Sequence, residues 1–575
     1  MESSNKQYSI WLFVSVLASF FLGLEAVENV FRYDFLIQDD ARKQVVWLEQ
    51  YLDPTLFDGN LIANYFQSVL PDGYRYLYRL LAFLGISPIG ASKLIPVFLY
   101  TAIAFFTYRL TTTFLRSPLA GFFSTSILTY TLMFTTVVSS ATPRAFLNLF
   151  LLSFLYYWVH RSQVGTWISL LFLGLYYPQT MLVAAGTGIL SLVRLDTWRV
   201  RISANKTLIY LVFGVIAITL AFAGHFLFLK TSDYGPIVTR AQAVTDAAYL
   251  KGGRSSFFSG SFLGFWLFGG RSGILPGGFS FFQPRLLLIC TVLPILWAFP
   301  KYFPLVKQLD RNIFILARLL IASVALYTLA HLFLFKLHLP SRYTQHSIRV
   351  VMAILSGITL NIILDALRVW LTRQRSLFAR TMAPFVFSIA ALLILLYPVY
   401  LSQAKDNFPR TGYMVGRYPK IYEFLQAQPK DSLIASLDKE AANIPAFSLR
   451  SVLVAPEYGV AYHRGYYEQF RQQVKDLIEA TFSENKQVLV RFVEKYGIDF
   501  FMVNENTFSA GFFVENNDWP QEYDVFIEPL KPRRGLEDRS ALSATIETCT
   551  VVQSKGMLVL DAGCIVEDSS SSPQS

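Results

Sequence analysis

Long apolar runs separated by short basic loops dominate the first four hundred positions of this chain. A membrane-spanning helix needs about 20 apolar residues, or ~17 when tilted or flanked by aromatics, and by that measure about eleven spans are predicted. They lie near 9–27, 93–109, 119–140, 144–160, 164–177, 179–194, 206–230, 285–300, 313–336, 349–367 and 383–402. The fifth and sixth are short and meet at Tyr176-Tyr177-Pro178-Gln179, which suits a hairpin broken within the membrane. Ser9 to Val27 reads as a retained first span, because a cleavage site would want small uncharged residues where Leu24-Glu25-Ala26 stands.

The apolar stretch Phe257 to Phe268 is too short to cross and reads as a re-entrant or interfacial segment. Beyond about residue 404 the pattern changes to alternating strand-like and helix-like runs. Ser432–Ser436, Ser451–Val454, Asp499–Val503 and Met557–Leu560 read as strands, and Tyr418–Ala427, Tyr466–Phe482 and Lys486–Tyr496 as helices. The expected fold is therefore a polytopic α-helical membrane protein with a C-terminal α/β domain. Residues 1–403 form the membrane domain, with outer loops 28–92 and 231–284; 404–568 form the α/β domain, and 569–575 a polar disordered tail.

Charge sets the orientation. Arg109, Arg116, Arg161, Arg194, Arg199, Arg201, Lys206, Lys301, Lys307, Arg311, Arg368, Arg373, Arg375 and Arg380 all fall in loops after even-numbered spans, which places those loops in the cytoplasm. The N-terminus is then inside, and the α/β domain is extracytoplasmic, on a multi-pass protein of the inner or plasma membrane. Composition agrees: 53% hydrophobic and 15% charged excludes an ordinary water-soluble globule. The formal net charge of +11 sits largely in those short loops, so nucleic acid is not an expected partner. The three cysteines have no metal-ligand spacing. Cys549 and Cys564 flank a hairpin-like stretch around Ser554-Lys555-Gly556, and form either a disulfide or two free thiols.

The candidate chemistry gathers on the outer face. Asp39 and Asp40 stand side by side just past the first span, and an ionised pair held close needs a cation, a helix N-terminus or a shared proton. They also open a helical pattern of Ala41, Val45, Leu48 and Leu52, so one of them is expected to cap an amphipathic helix lying on the membrane surface. Capping uses one carboxylate, which leaves the other for ligand binding or catalysis, with Asp39 the preferred residue. Four inward-running spans begin with proline, at Pro143, Pro178, Pro284 and Pro340, presenting outward helix N-termini that favour an anion. From Pro340, Arg342, His346 and Arg349 share one helical face, with Tyr343 beside it. With Arg144 they make a candidate phosphate site, against the alternative that they snorkel to lipid headgroups; Arg285 reads as structural. Two Gly-Gly-Arg-Ser strings, at 252–255 and 269–272, read as a flexible lid or as backbone nests for an anion. Tyr458, Tyr462, His463, Arg464, Tyr466 and Tyr467 suit sugar stacking, a domain core or a docking surface onto the membrane body. The span centres hold almost no ionisable group, unlike an ion-coupled transporter.

An acidic pair in the first outer loop, about eleven spans, functional-looking residues on one face and a C-terminal extracytoplasmic α/β domain resemble the GT-C superfamily of integral-membrane glycosyltransferases. The resemblance implies a sugar donor on a polyprenyl phosphate or diphosphate, an acceptor hydroxyl deprotonated by Asp39 or Asp40, and a leaving phosphate held by Arg342, Tyr343, His346 and Arg144. A divalent metal ion on the acidic pair is the alternative role. A Trp-Trp-Asp acceptor motif is absent, which argues against the oligosaccharyltransferase branch. The competing classes are a lipid or glycolipid translocator and a non-catalytic scaffold whose α/β domain binds a partner.

Overall fold

The computed structural model describes residues 2–196, 199–225, 233–258, 260–275, 284–373, 377–404, 408–508, 519–527 and 540–571. Among them, six helices are long and apolar enough to cross a membrane: Asn5–Ala26, Pro88–Phe114, Lys206–Gly224, Arg311–Leu332, Ser341–Arg373 and Pro384–Ala404. Shorter helices, Pro118–Met133, Leu147–Val159 and Pro178–Leu190, lie along further apolar runs, and Gln163–Tyr176 and the stretch Arg285–Ala298 are apolar but shorter than these six. The chain is a multi-pass membrane protein. Its helices begin where local chemistry satisfies their first N–H groups. Ser87, Ser117, Ser162 and Asn205 each accept a hydrogen bond at the N-cap, the first two followed directly by proline.

Helix Ser341–Arg373 is the spine of the membrane body, and Gly357 explains its close seat against Pro118–Met133. A Cβ on Gly357 would lie 2.2 Å from the Ser124 backbone nitrogen, so only glycine lets the two helices meet there. Ser124 Oγ then donates to the Ile354 carbonyl at 3.0 Å.

The C-terminal domain carries a five-stranded sheet of order β6-β5-β7-β9-β8, with β5 Leu433–Ala435, β6 Ser451–Val452, β7 Phe500–Asn504, β8 Thr550–Ser554 and β9 Met557–Asp561. β5, β6 and β7 are parallel, while β9 runs antiparallel to β7 and β8. Helices Pro419–Ala427, Arg464–Phe482 and Lys486–Tyr496 fall where the sequence pattern puts them. The last ends at Gly497, whose φ of +65° supplies the left-handed turn. Cys549 and Cys564 are joined, with Cα atoms 5.6 Å apart. Helix Ala562–Ser571 runs into the stretch expected to be a polar tail; 572–575 lie outside the described residues.

Two expectations need correction, and the alternatives left open for the aromatic cluster are narrowed. The segment after Asp40 is not an amphipathic surface helix: it is one helical turn, Ala41–Gln44, followed by the 3-10 stretch Val46–Tyr51, and Val45, Val46, Trp47 and Leu48 are fully buried. It is covered by the C-terminal domain, since Trp47 packs edge-on to Tyr458 at 5.4 Å. The Gly-Gly-Arg-Ser strings are braces, not a lid. Arg254 donates to Glu457 Oε1 at 2.7 Å and to the carbonyls of Pro456 and Glu457, while Arg271 donates to the carbonyls of Ser256 and Arg254. Tyr458 and Tyr466 are fully buried, with Tyr466 stacked on Tyr65 at 3.7 Å, so the aromatic cluster is a seam between outer loop and domain.

Candidate active site

A two-stranded ribbon positions the acidic pair. β1, Leu36–Gln38, runs antiparallel to β4, Tyr413–Val415, pairing Gln38 with Tyr413. The Asp39 N–H extends this ladder to the Gly412 carbonyl at 3.0 Å. Gln38 then does the capping expected of an aspartate: its Oε1 accepts from the N–H groups of Asp40 at 2.7 Å and Ala41 at 3.1 Å. Asp40 occupies the N-cap position with no capping bond from its own side chain. Both carboxylates are thereby released from helix duty.

They enter a ladder of ion pairs. Arg42 Nη2 meets Asp39 Oδ1 at 2.6 Å and Glu457 Oε2 at 3.4 Å, while its Nη1 donates to Asn443 Oδ1 at 2.9 Å. Lys43 joins Asp40 at 3.2 Å to Glu457 at 2.6 Å, and Arg144 Nη2 closes on Asp40 Oδ2 at 2.5 Å. Glu457 is thus the hub of the ladder, gripped also by Arg254 at 2.7 Å. Sequence reading passed over it. The available signal was its isolation, as the lone charge between Ser451 and Tyr462; a charge inside an apolar run implies a partner.

The two aspartates are not equivalent. Burial works against ionisation of Asp40, but Arg144, Lys43 and Arg342 outweigh it and hold the carboxyl far below the usual carboxylate range. A carboxylate so stabilised binds protons poorly and acts as a fixed negative charge. Asp39 keeps one ion pair and its side chain is 43% exposed. It is the more accessible member of the pair.

Arg144 is aimed by the turn before it. Ala141 adopts a φ of +48°, and its carbonyl accepts hydrogen bonds from Tyr74 at 3.1 Å and Tyr78 at 3.2 Å, fixing the entry to Pro143. Beyond Arg144 the charge changes sign. On helix Ser341–Arg373, His346 and Arg349 are each 2% exposed, and the charges bearing on His346 are Arg349, Arg144 and Arg342. His346 Nε2 is buried with no hydrogen-bond partner among the described residues, and the Tyr177 ring stands edge-on to the imidazole at 6.1 Å. Arg342 donates to Gln345 Oε1 at 3.2 Å and has Arg144, Arg271, Tyr177 and Tyr462 around it.

Asp40, Arg144, Arg342 and His346 therefore gather as the sequence pattern suggested, with Asp39 one ladder step away. Tyr343 does not join them. It is buried and donates its hydroxyl to the Leu337 carbonyl at 2.8 Å, bracing the loop before its own helix. That loop adds an unforeseen neighbour, His338, held at a φ of +61° with its ring 5.9 Å from Tyr462. Burial, reinforced by Arg342, Arg271 and His463, pushes its pKa down to about 3.

A divalent metal does not fit these residues. Among the described residues no group of three His, Cys, Asp or Glu side chains could hold one, and each aspartate already faces cations, Arg42 for Asp39 and Arg144 with Lys43 for Asp40.

No family model matches the chain, and no curated protein matches it by sequence. Solved structures do. The archaeal oligosaccharyltransferase AglB from Archaeoglobus fulgidus, in complex with an inhibitory peptide and a dolichol-phosphate, superposes with a TM-score of 0.50 at 11% identity, covering 89% of this chain and 71% of that one. The arabinofuranosyltransferase AftD from Mycobacteria gives 0.49 at 12% identity, over 96% of this chain and 40% of that one. At 11% identity, the likeness to AglB shows that this chain shares that structure's fold.

Proposed function

We propose that this protein is a membrane glycosyltransferase that moves a sugar from a polyprenyl-phosphate-type lipid donor to an acceptor hydroxyl at the extracytoplasmic face. The observation that carries the reading is the juxtaposition of an accessible carboxylate, Asp39, with a buried cluster of cations reached through Asp40 and Arg144. Asp39 removes the proton from the acceptor hydroxyl as its oxygen attacks the anomeric carbon, a role that typically contributes ~10²–10⁴ in rate. The bond from that carbon to the phosphate oxygen breaks, and the lipid phosphate leaves with the electron pair. Arg144, Arg342 and Arg349 meet its growing charge, and His346 Nε2 is free to hydrogen-bond to it. One in-line displacement inverts the anomeric centre. Asp40 serves as the counter-charge that keeps Arg144 in place.

An apolar cavity of about 570 Å³ is lined by Cys290, Leu293, Trp297, Leu320, Val351 and Leu355, the last two on the helix that carries His346 and Arg349. At about 100° per residue, Val351 and Leu355 stand on the side of that helix away from His346 and Arg349, so a lipid chain anchored at the basic face would have to pass around the helix to fill it. The C-terminal domain and the acidic pair share the outer side in this reading, and the Lys- and Arg-rich loops face the cytoplasm.

Mass spectrometry of lipids retained by the detergent-solubilised protein tests the proposal. Recovery of a polyprenyl phosphate or its sugar conjugate is the expected result; bulk phospholipid alone would overturn it.

A further inference from the structure

A small cavity of about 180 Å³ lies at the far end of the membrane body from the acidic pair. Helix Leu147–Val159 starts just after Arg144, and helix Pro178–Leu190 starts after Tyr177, whose ring faces His346. The cavity is lined where these two helices end, by Trp158 and Ser191. Each helix has 13 residues, which at about 1.5 Å apiece sets the cavity roughly 20 Å from the basic face. On the orientation proposed above, this end lies in the cytoplasmic leaflet.

Three guanidinium groups converge there. Arg311, Ile315, Arg318 and Ala322 recur at spacings of four, three and four along helix Arg311–Leu332, so they form one stripe of its surface. That stripe packs on helix Pro178–Leu190, where a Cβ on Gly186 would lie 3.2 Å from the Ala322 Cβ. Arg311 and Arg318 are thereby brought to the cavity wall. Arg161 joins them from the turn after helix Leu147–Val159, at a φ of +57°, with the Ser162 N–H closing on the Tyr157 carbonyl at 3.0 Å. Glycine is the usual residue at such a helix end; here the position supplies a charged side chain to the cavity. No Asp or Glu lines it among the described residues, and Asp310, next to Arg311 in sequence, turns its Oδ1 onto the Asn312 N–H at 2.7 Å. The first turns of two spanning helices, through Leu208 and Asn312, also reach it and favour negative charge.

We propose that this cavity binds the phosphate of an anionic glycerophospholipid. The inference does not depend on the transferase reading. Size excludes larger ligands, since small-molecule pockets run from ~300 to 1,000 Å³. Charge selects the group, because arginine pairs with phosphate through parallel N–H donors. Depth selects the source. Tyr210, Phe213 and Phe314, a few residues past Leu208 and Asn312, are exposed apolar side chains that meet acyl chains on a spanning helix. The cavity therefore stands at headgroup level, where basic pockets between spanning helices take anionic lipid.

Native mass spectrometry of the full detergent-solubilised chain, stripped of lipid and then exposed to a probe, tests this. The probes are phosphatidylglycerol, phosphatidylcholine and excess inorganic phosphate. Phosphatidylglycerol is expected to be retained in preference to phosphatidylcholine and to resist displacement by inorganic phosphate. Arg161→Gly with Arg311→Gln is expected to lower its retention about tenfold, the share of two basic residues in an attraction to anionic lipid. Glycine suits the left-handed turn at 161 and Arg311 is exposed, so this pair preserves the fold. Lys301→Gln with Arg373→Gln removes equal charge from exposed positions outside the cavity and is expected to leave retention near its original value. Equal losses in the two pairs overturn the proposal in favour of general surface charge. Retention indifferent to the first pair, equal retention of the two lipids, or no retention of either also overturns it. Displacement by inorganic phosphate overturns the lipid as the source and leaves a site for a soluble anion.

Discussion

The ladder around Glu457 and the basic face around His346 adjoin at Arg144 and treat charge in opposite ways. In the ladder, Asp39, Asp40 and Glu457 are matched by Arg42, Lys43, Arg144 and Arg254 at 2.5–3.4 Å, so nearly every charge has a local partner. On the basic face, the charged neighbours of His346 are other cations, and Arg342 faces Arg144 and Arg271 with Asp40 as its anionic neighbour. Like charges packed together while buried are unfavourable in isolation. One region is internally matched, and the other carries an excess of positive charge that, in the proposed reading, the donor phosphate would meet. In that reading Asp39, at the exposed end of the ladder, acts with the second region although its ion pair belongs to the first.

Changing the acidic pair gives the largest separation between these roles. Asp39→Asn should cut sugar transfer by ~10²–10⁴ while leaving expression and thermal stability near normal; a variant that still transfers at the original rate removes Asp39 as base. Asp40→Asn should instead weaken donor binding by freeing Arg144, visible as a raised donor KM. The next effect belongs to the ladder alone. Glu457→Gln removes the carboxylate shared by Arg42, Lys43 and Arg254 at a mostly buried site, leaving Arg254 without a counter-charge there, and should cost about 3 kcal/mol, read from chemical or thermal unfolding.

Acidity sharpens the contrast further. His338 has its pKa pushed from 6.5 down to about 3, so the folded protein keeps it neutral while the unfolded chain takes up a proton below 6.5. Its stabilising share is present above pH 6.5 and is lost progressively as pH falls toward 3. His338→Gln should flatten the decline in melting temperature between pH 6.5 and 5. Asp40 shows the opposite titration, its pKa lowered by Arg144, Lys43 and Arg342 against burial, so its contribution persists at pH 5 and fails only in strong acid. The smallest effect is that of Tyr343→Phe. Losing the bond to Leu337 should cost about 1 kcal/mol with donor KM unchanged; a shifted donor KM would return Tyr343 to the binding face.

Much of the site was legible as pattern. Arg342, His346 and Arg349 recur at helical spacing, and that spacing alone predicts a shared face. Proline marked the helix starts that carry Arg144 and Arg342, because its missing N–H suits a first turn. The failures were of a different kind. Aspartate is a common cap, so the aspartates were assigned the bond that Gln38 makes. Gly-Gly-Arg-Ser reads locally as mobile, yet Arg254 and Arg271 are pinned by carbonyls and a carboxylate distant in sequence. Tyr343 sits beside a functional face in the sequence, but its hydroxyl is claimed by a carbonyl of the preceding loop.

Hydropathy and the distribution of Lys and Arg determined by themselves that this chain is a multi-span membrane protein with an α/β domain after the spans, since the cost of burying charge in hydrocarbon acts on each segment separately. Which polar side chains meet was decided by tertiary structure alone. Gln38 finds Thr411, Arg42 finds Asn443 and Glu457, and Asp40 finds Arg144, across separations of 104 to 415 residues. No periodicity encodes such pairs. They exist because the β1–β4 ribbon ties the loop after the first span to the C-terminal domain and brings the acidic pair to the edge of the basic face.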